Sequence, residues 1–128
     1  MKVKDIITSP VATVTTDSDV GTARDLMTLR KIGALPVVEM DGDKAIVEGI
    51  ISHHDLTGVY DDNINVVQIM TTKIFAVTPE TSLKKAAEVM IDKKIHHLIV
   101  ISEHNDEELV GIISSLDFVN LVAKELVS

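Results

Sequence analysis

Two short stretches carry residue types that could do chemistry, and each places an aspartate three residues after a serine. Ser52 and Asp55 follow the run Gly-Ile-Ile, and Ser114 and Asp117 follow a second copy of that run. Gly-Ile-Ile is typical of the end of a buried strand, and serine is favoured where a helix begins. An aspartate in the first helical turn could bind both hydroxyls of a cis-diol such as ribose, with a phosphate near the helix N-terminus.

The same spacing also has a purely structural interpretation. Ser-x-x-Asp resembles a capping box, in which the acid serves only the helix N-terminus. The pattern occurs twice in one short chain, however, and glutamate or glutamine is the more usual partner in such a box. Ligand binding and capping therefore both remain open for the two aspartates.

The two stretches belong to an internal repeat that covers nearly the whole chain. At an offset of 63 residues Ile6 aligns with Ile69, and after one deletion, at an offset of 62, Gly49 aligns with Gly111. Two copies of this length predict two halves packed with pseudo-twofold symmetry, and not a solenoid array. We expect the first repeat at residues 1–60 and the second at 61–128. Other aligned pairs are Thr8 with Thr71, Ala23 with Ala86, Met27 with Met90, Leu35 with Leu98, and Asp55 with Asp117.

Residue patterns predict the elements that position these stretches, and each repeat is predicted as β-α-β-β-α in an α+β fold. A lead-in helix or arm at 3–7 is broken by Pro10. The first repeat is predicted to contain a strand at 11–15, N-cap candidates at 17–19, a helix at 20–31 ended by Gly33, a strand at 35–38, a hairpin turn at Asp41-Gly42, a strand at 45–52 and a short helix from His53. The second is predicted to contain a strand at 75–78, an N-cap at Thr81 or Ser82, a helix at 83–94, strands at 98–102 and 109–114, and a helix at 115–126.

Composition limits the classes of partner. The chain has 128 residues, 45% of them hydrophobic, which predicts one compact domain with a real core. A formal net charge of −8 and only three aromatic residues argue against binding nucleic acid. There is no cysteine, no apolar run of membrane-spanning length and no signal-peptide pattern at the N-terminus. We therefore expect a cytoplasmic protein that binds neither nucleic acid nor membranes.

The order of elements and the paired Gly-Ile-Ile-Ser-x-x-Asp stretches resemble a tandem pair of CBS domains, the module named for cystathionine β-synthase. The resemblance covers essentially the whole chain and includes the strands at 34–38 and 97–101. It implies a regulatory module, not an enzyme, that binds AMP, ADP, ATP or S-adenosylmethionine in two clefts between the repeats. No separate cofactor is implied, and two such pairs often associate into a homodimer.

The resemblance also assigns residues to each cleft. Ser52 with Asp55, and Ser114 with Asp117, are expected to hold the ribose. The cleft of Asp55 is expected to be completed by Phe75, Ala76, Val77, His96 and His97, with His53 and His54 added. The cleft of Asp117 is expected to be completed by Ala12, Thr13, Val14, Gly33, Ala34 and Pro36.

The two clefts are expected to differ in charge. Nucleotide-binding members of the family often have a His-Arg pair facing the phosphates, where this chain has His96-His97. Histidine is only partly charged near neutral pH, so phosphate recognition here would depend on pH. The cleft of Asp117 has no obvious cation.

Three other functions are weighed against nucleotide sensing. An enzyme is disfavoured because Ser52, His54 and Asp55 are near neighbours in sequence and no nucleophile elbow accompanies them. A metal-responsive module would use histidines at 53, 54, 96 and 97 together with Asp55. A ligand-free dimerisation scaffold is the third alternative.

Overall fold

The structure, a computed structural model, describes residues 1–7, 11–105 and 107–125. Both repeats have the order strand-helix-strand-strand-helix, which confirms the predicted α+β fold. Short 3-10 helices at Val3–Asp5 and Val66–Gln68 precede the first strand of each repeat. The first repeat contains β1 (Val14–Thr15), α1 (Val20–Arg30), β2 (Ala34–Asp41), β3 (Lys44–Ser52) and α2 (His53–Leu56). The second contains β4 (Ala76–Val77), α3 (Leu83–Lys93), β5 (His97–Ile101), β6 (Leu109–Ser114) and α4 (Ser115–Ala123).

Contacts between residues group the chain into two compact units, each with its own sheet and core. The β1–β3 unit contains residues 12–74 together with 107–109. The β4–β6 unit contains the described parts of 1–11, 75–106 and 110–128. Each unit therefore positions its own serine–aspartate pair on its own core.

The β1–β3 unit is built on a sheet in the order β1-β2-β3. β1 runs parallel to β2, and β2 pairs antiparallel with β3 through the predicted hairpin turn, where Gly42 has a φ of 64°. The register shifts between Val37 and Val38, so Glu48 is an extra residue on β3, as in a β-bulge. The buried core consists of Val14, Val20, Ala23, Met27, Leu35, Val37, Ile51, Leu56 and Val66.

Helix α1 begins where the sequence predicts but does not end there. The carboxylate of Asp19 accepts a hydrogen bond of 2.8 Å from the backbone N–H of Thr22 and caps the helix. The prediction that Gly33 ends the helix is wrong. The chain leaves the helix at Lys31, whose left-handed backbone (φ 56°) directs its N–H to the carbonyl of Met27.

The β4–β6 unit has a sheet in the order β4-β5-β6, with β4 parallel to β5. Ser82 caps α3 by accepting a hydrogen bond of 3.0 Å from the N–H of Lys85. The helix ends at Lys93, and Lys94 then takes the same left-handed conformation as Lys31. The buried core consists of Val3, Val77, Leu83, Ala86, Met90, Leu98, Val100, Ile113 and Leu121.

The N-terminal arm, residues 1–7, is packed into this second core. Val3 is fully buried, and its N–H donates a hydrogen bond of 2.8 Å to the carbonyl of Thr81. The ammonium groups of Lys2 and Lys4 lie 2.5 and 2.9 Å from the two carboxylate oxygens of Glu80. Hydrogen bonds from Lys2 and then Lys4 lower the pKa of Glu80 to about 2.

Other differences from the predicted elements are confined to their ends. β1 and β4 have two residues each, which is shorter than predicted, because β1 pairs with β2 only at Val37 and Val38 and β4 pairs with β5 over a similarly short stretch. The last helix was predicted to reach Leu126, which is wrong: it ends at Ala123 with Lys124 as its C-cap, and Glu125 has a left-handed backbone (φ 57°). The predicted break at Pro10 lies outside the described residues. Among the described residues, no helix is long and apolar enough to cross a membrane.

Candidate functional site

Both serine–aspartate pairs lie at a corner where a buried strand ends and a helix begins. Ser52 ends β3 and Ser114 ends β6, and both have an extended backbone at the N-cap position of the following helix. We call these the Asp55 corner and the Asp117 corner. The predicted placement of both pairs, at the end of a strand and the start of a helix, is therefore confirmed.

At the Asp55 corner, the two carboxylate oxygens have different partners. Oδ2 accepts hydrogen bonds from the backbone N–H of Ser52 at 2.9 Å and from its hydroxyl at 3.1 Å. The N–H of Asp55 in turn donates to Ser52 Oγ at 3.4 Å, which completes a capping box. Oδ1 accepts a hydrogen bond of 3.0 Å from the hydroxyl of Thr71. Capping thus occupies one oxygen of the half-buried carboxylate and not the other.

Thr71 is a residue of this corner that the sequence analysis did not assign. It reaches Asp55 because the segment at 70–71 lies against β3, where Ile50 and Thr71 exchange backbone hydrogen bonds of 2.9 and 2.8 Å. A Cβ on Gly49 would lie 2.8 Å from Met70 Sδ and 2.9 Å from the carbonyl oxygen of Thr71. Glycine is therefore what permits the close backbone approach expected at this position. The alignment of Thr71 with Thr8 in the repeat was the available signal.

At the Asp117 corner, the hydrogen bonds between the serine and Oδ2 of the aspartate recur. Asp117 Oδ2 accepts hydrogen bonds from the N–H of Ser114 at 2.7 Å and from its hydroxyl at 3.2 Å. The repeat partner of Thr71 is Thr8, which lies outside the described residues. Within the part of the chain that the structure describes, Asp117 Oδ1 accepts no hydrogen bond.

Within the β1–β3 unit, the corner is joined to two other predicted segments. Ser52 pairs with Ala34 across the hairpin, and the N–H of His53 donates a hydrogen bond of 3.1 Å to the carbonyl of Gly33. Residues 12–13 directly precede β1, which runs parallel to β2. One edge of this unit therefore brings together the predicted site residues Ser52, His53, His54, Asp55, Ala12, Thr13, Val14, Gly33, Ala34 and Pro36.

The remaining predicted site residues lie at the corresponding edge of the β4–β6 unit. The N–H of Ser115 donates to the carbonyl of His96 at 2.9 Å, and Ser115 Oγ lies 3.5 Å from His96 Nδ1. The carbonyl of Phe75 accepts a hydrogen bond of 3.2 Å from the N–H of Ile99 on β5. The predicted residues at this edge are Phe75, Ala76, Val77, His96, His97, Ser114 and Asp117.

Burial limits what some of these residues can offer to a ligand. The side chains of Val14, Ala34, Pro36 and Val77 are buried, so only their backbone N–H and C=O groups, apart from the absent N–H of proline, could bind one. His53, His54 and His96 have exposed side chains. Among the described residues, no three histidine, aspartate or glutamate side chains are grouped as metal ligands would be.

Lys93 is a second residue that the sequence analysis did not assign. Its ammonium lies 5.4 Å from the centre of the Phe75 ring, a cation–π distance. The helix ends at Lys93, where the helix dipole favours a positive charge. The contact with Phe75 could not be predicted from that position.

Comparison with known proteins gives two matches to one family. Residues 3–62 and 66–124 each match the family model of the CBS domain. The CBS domain-containing protein YhcV of Bacillus subtilis is 30% identical over 129 residues, which covers 96% of this chain and 87% of the relative. An inosine-5'-monophosphate dehydrogenase of Methanocaldococcus jannaschii is 30% identical over 116 residues, but the match covers 91% of this chain and 22% of that enzyme. The chain thus spans most of the first relative and about a fifth of the second.

A solved structure supports the same fold. The CBS domain pair of protein MJ0100 matches with a TM-score of 0.85 and 23% identity, over 98% of both chains. That protein was solved in complex with 5'-methylthioadenosine and S-adenosyl-L-methionine.

Proposed function

This chain belongs to the CBS domain family, and on that basis we propose that it is a regulatory module that binds adenosine-containing ligands through its two serine–aspartate corners. The ligand class comprises AMP, ADP, ATP and S-adenosylmethionine. We retain from the sequence the expectation that the module is cytoplasmic and homodimeric.

The observation that carries the proposal is that the serine of each corner binds only one of the two carboxylate oxygens of its aspartate. A carboxylate has about four acceptor positions. The serine uses two of them at each corner, both on Oδ2. We propose that the other oxygen of each carboxylate, Oδ1, accepts hydrogen bonds from the two hydroxyls of a ribose. A charged acceptor makes such hydrogen bonds stronger than neutral ones.

At the Asp55 corner, Thr71 already donates to Oδ1. One acceptor position of Oδ1 remains there, and a second ribose hydroxyl would have to take the place of the Thr71 hydroxyl. We therefore propose that both corners bind ribose, and that the Asp55 corner exchanges an internal hydrogen bond to do so. The other residues assigned to each cleft from the family resemblance remain part of the proposal.

The ligands of MJ0100 support the adenosine class. 5'-Methylthioadenosine and S-adenosyl-L-methionine share an adenosine group and differ in what is attached to its 5' carbon. Recognition of the ribose by a carboxylate would serve either ligand. At 23% identity the likeness to MJ0100 shows the fold, so the transfer of its ligand class to this chain is our proposal.

Calorimetric titration with AMP and 2'-deoxy-AMP tests the ribose contact. The deoxy ligand lacks one hydrogen bond to a charged acceptor, which is worth about 1.5–3 kcal/mol, so its affinity should be roughly ten- to a hundredfold lower. Equal affinity for the two ligands would exclude a carboxylate–diol contact.

Single substitutions separate the two corners. Asp55→Ala and Asp117→Ala should each remove one AMP site and leave the other intact. Each substitution also removes a helix cap, which typically costs about 1 kcal/mol, so the melting temperature of each unliganded variant is the necessary control. A variant that melts earlier but binds AMP as before would show that its aspartate is only a cap. A thermal-shift screen that also includes S-adenosylmethionine and Zn²⁺ would reveal a metal-responsive module.

A further inference from the structure

The ammonium of Lys93 is held at the edge of the β4–β6 unit by an aromatic ring. It lies 5.4 Å from the centre of the Phe75 ring, and the Lys93 side chain is 47% exposed. Phe75 directly precedes β4, and its carbonyl is hydrogen-bonded to the N–H of Ile99. The backbone of Phe75 is therefore tied to the sheet, whereas the ammonium of Lys93 stands at the end of a flexible four-carbon side chain.

Phe75 and the start of β5 lie at the same edge of this sheet. β4 and β5 are parallel, so residues that precede β4 and residues that begin β5 are neighbours. His97 begins β5, and His96 is joined to Ser115 by a backbone hydrogen bond of 2.9 Å. The lysine charge thus stands at the edge that also carries the histidines assigned to phosphate recognition.

The interactions that hold the ammonium are weak enough to be exchanged. The carboxylate oxygen Asp92 Oδ2 is 3.8 Å away and belongs to a side chain that is 77% exposed. Ion pairs and cation–π contacts at exposed positions contribute little because water screens them. A phosphate group carries more charge and several acceptor oxygens, so it would attract the ammonium away from the ring.

We propose that Lys93 selects for a phosphorylated adenosine ligand at the site to which Phe75 and His96 contribute; the inference rests on the proposed function. Lysine supplies a permanent positive charge at neutral pH, whereas histidine supplies one only in part. Lys93 moves from the ring face to the ligand phosphate, so the phosphate is recognised even when the histidines are neutral. The cation that the sequence motif lacks at His97 is supplied by the end of α3.

The other repeat does not offer the same arrangement. At the repeat offset of 63, Lys93 corresponds to Arg30 and Phe75 corresponds to Ala12. Alanine has no ring that could hold a cation at the edge of the β1–β3 unit. The preference for phosphate is therefore assigned to the site that includes Phe75 and not to both sites.

Titration of AMP and adenosine into Lys93→Met and Lys93→Arg tests this assignment. Methionine keeps most of the apolar stem of the lysine and removes the charge, whereas arginine keeps the charge. We expect Lys93→Met to weaken AMP binding by roughly tenfold and to leave adenosine binding unchanged, and Lys93→Arg to restore most of the AMP affinity. Lys84→Met, on an exposed position of the same helix, is the matched control and should change neither affinity.

The outcomes separate this inference from the proposed function. If wild-type protein binds AMP and Lys93→Met binds it equally well, the role of Lys93 is overturned while the adenosine site stands. A parallel loss of AMP and adenosine affinity would also overturn it, because a packing role would explain that result. If wild-type protein binds neither compound, the proposed function fails and this inference fails with it.

Discussion

The hydroxyl of Thr71 donates a hydrogen bond of 3.0 Å to Oδ1 of Asp55, a residue 16 positions earlier in the chain. The bond exists because the backbone at 70–71 runs against β3, where Gly49 has no Cβ to prevent it. The geometry of the Asp55 carboxylate therefore depends on a glycine and a threonine that lie outside the Ser-x-x-Asp motif.

Gly49→Ala should disturb the Asp55 corner as well as the fold of its unit. The new Cβ would lie under 3.0 Å from the backbone oxygen of Thr71, which cannot move without breaking the pairing with Ile50. We expect the free energy of unfolding to fall by about 1–3 kcal/mol, as for other overpacked sites, and AMP binding at this corner to weaken.

Gly111→Ala is the matched control for that substitution, because the two glycines are equivalent in the repeat. A Cβ at Gly111 would meet Ile7 at 3.4 Å or more, which is ordinary contact. This variant should be neutral or slightly more stable, since alanine restricts the unfolded chain. Urea denaturation of both variants checks the difference, and equal destabilisation would contradict it.

AMP affinity should depend on pH through the histidines at 96 and 97. If a protonated imidazole donates to the phosphate, binding takes up a proton, and affinity falls as the pH rises from about 5 to about 8. The phosphate of AMP itself loses a proton at roughly pH 6. Its greater negative charge strengthens binding as the pH rises, which opposes the effect of the histidines. The measurement is therefore the difference between wild type and His96→Gln or His97→Gln across this range. An identical pH profile for all three proteins would exclude a histidine–phosphate contact.

Glu80 should make stability depend on acid pH. Hydrogen bonds from Lys2 and then Lys4 lower its pKa from 4.5 to about 2 in the folded protein. A lowered carboxyl pKa stabilises the folded state above the unfolded-state value, and the contribution is lost as the pH falls through the folded value. The difference in unfolding free energy between wild type and Glu80→Gln should thus be full at pH 7 and should vanish between about pH 4.5 and pH 2.

Two controls apply to that experiment, namely added salt and a substitution of Glu88. All three side chains are about half exposed, so added salt should shrink the difference by screening. Glu88→Gln, on an exposed position of α3, should show no such pH-dependent difference. Denaturant titrations at several pH values provide the measurement, and a difference that grows toward pH 2 would refute the assignment.

The exposed face of α4 should take part in self-association. Leu116, Val119 and Val122 recur every third residue with exposures of 61%, 59% and 68%. This spacing places them on one helix face. We expect a dimer by sedimentation velocity at micromolar concentration, and we expect Val119→Asp to dissociate it. Tyr60→Asp, at a residue 91% exposed outside α4, should leave the dimer intact. A wild-type monomer would refute the prediction.

The parts of the fold that the sequence predicted correctly depend on local signals. Asp19 and Ser82 cap helices because their side chains accept hydrogen bonds from residues three positions later. Asp41-Gly42 forms the hairpin turn because glycine accepts a positive φ. The serine–aspartate corners are equally local, which is why both could be placed from a four-residue spacing.

The parts that the sequence did not predict depend on contacts between distant residues. Thr71 is a residue of the Asp55 corner only because a separate segment packs against β3. Lys93 is assigned to the site only because a ring 18 positions earlier holds its ammonium. The repeat pairs Thr71 with Thr8 but does not show that its hydroxyl reaches Asp55, and no pattern in the chain links Lys93 to Phe75. The end of α1 was predicted wrongly for another reason. A lysine adopts the left-handed backbone conformation there, for which glycine is the usual candidate.

The N-terminal arm has a consequence for how the chain folds during synthesis. The core of the β1–β3 unit draws on residues between Val14 and Val66, so it can close while the rest of the chain is still on the ribosome. The core of the β4–β6 unit needs both Val3 and Leu121, which lie 118 positions apart in the chain. The residues around Val3 must therefore wait, unprotected, until Leu121 has been made, and until then this unit is the slower and more protease-sensitive of the two.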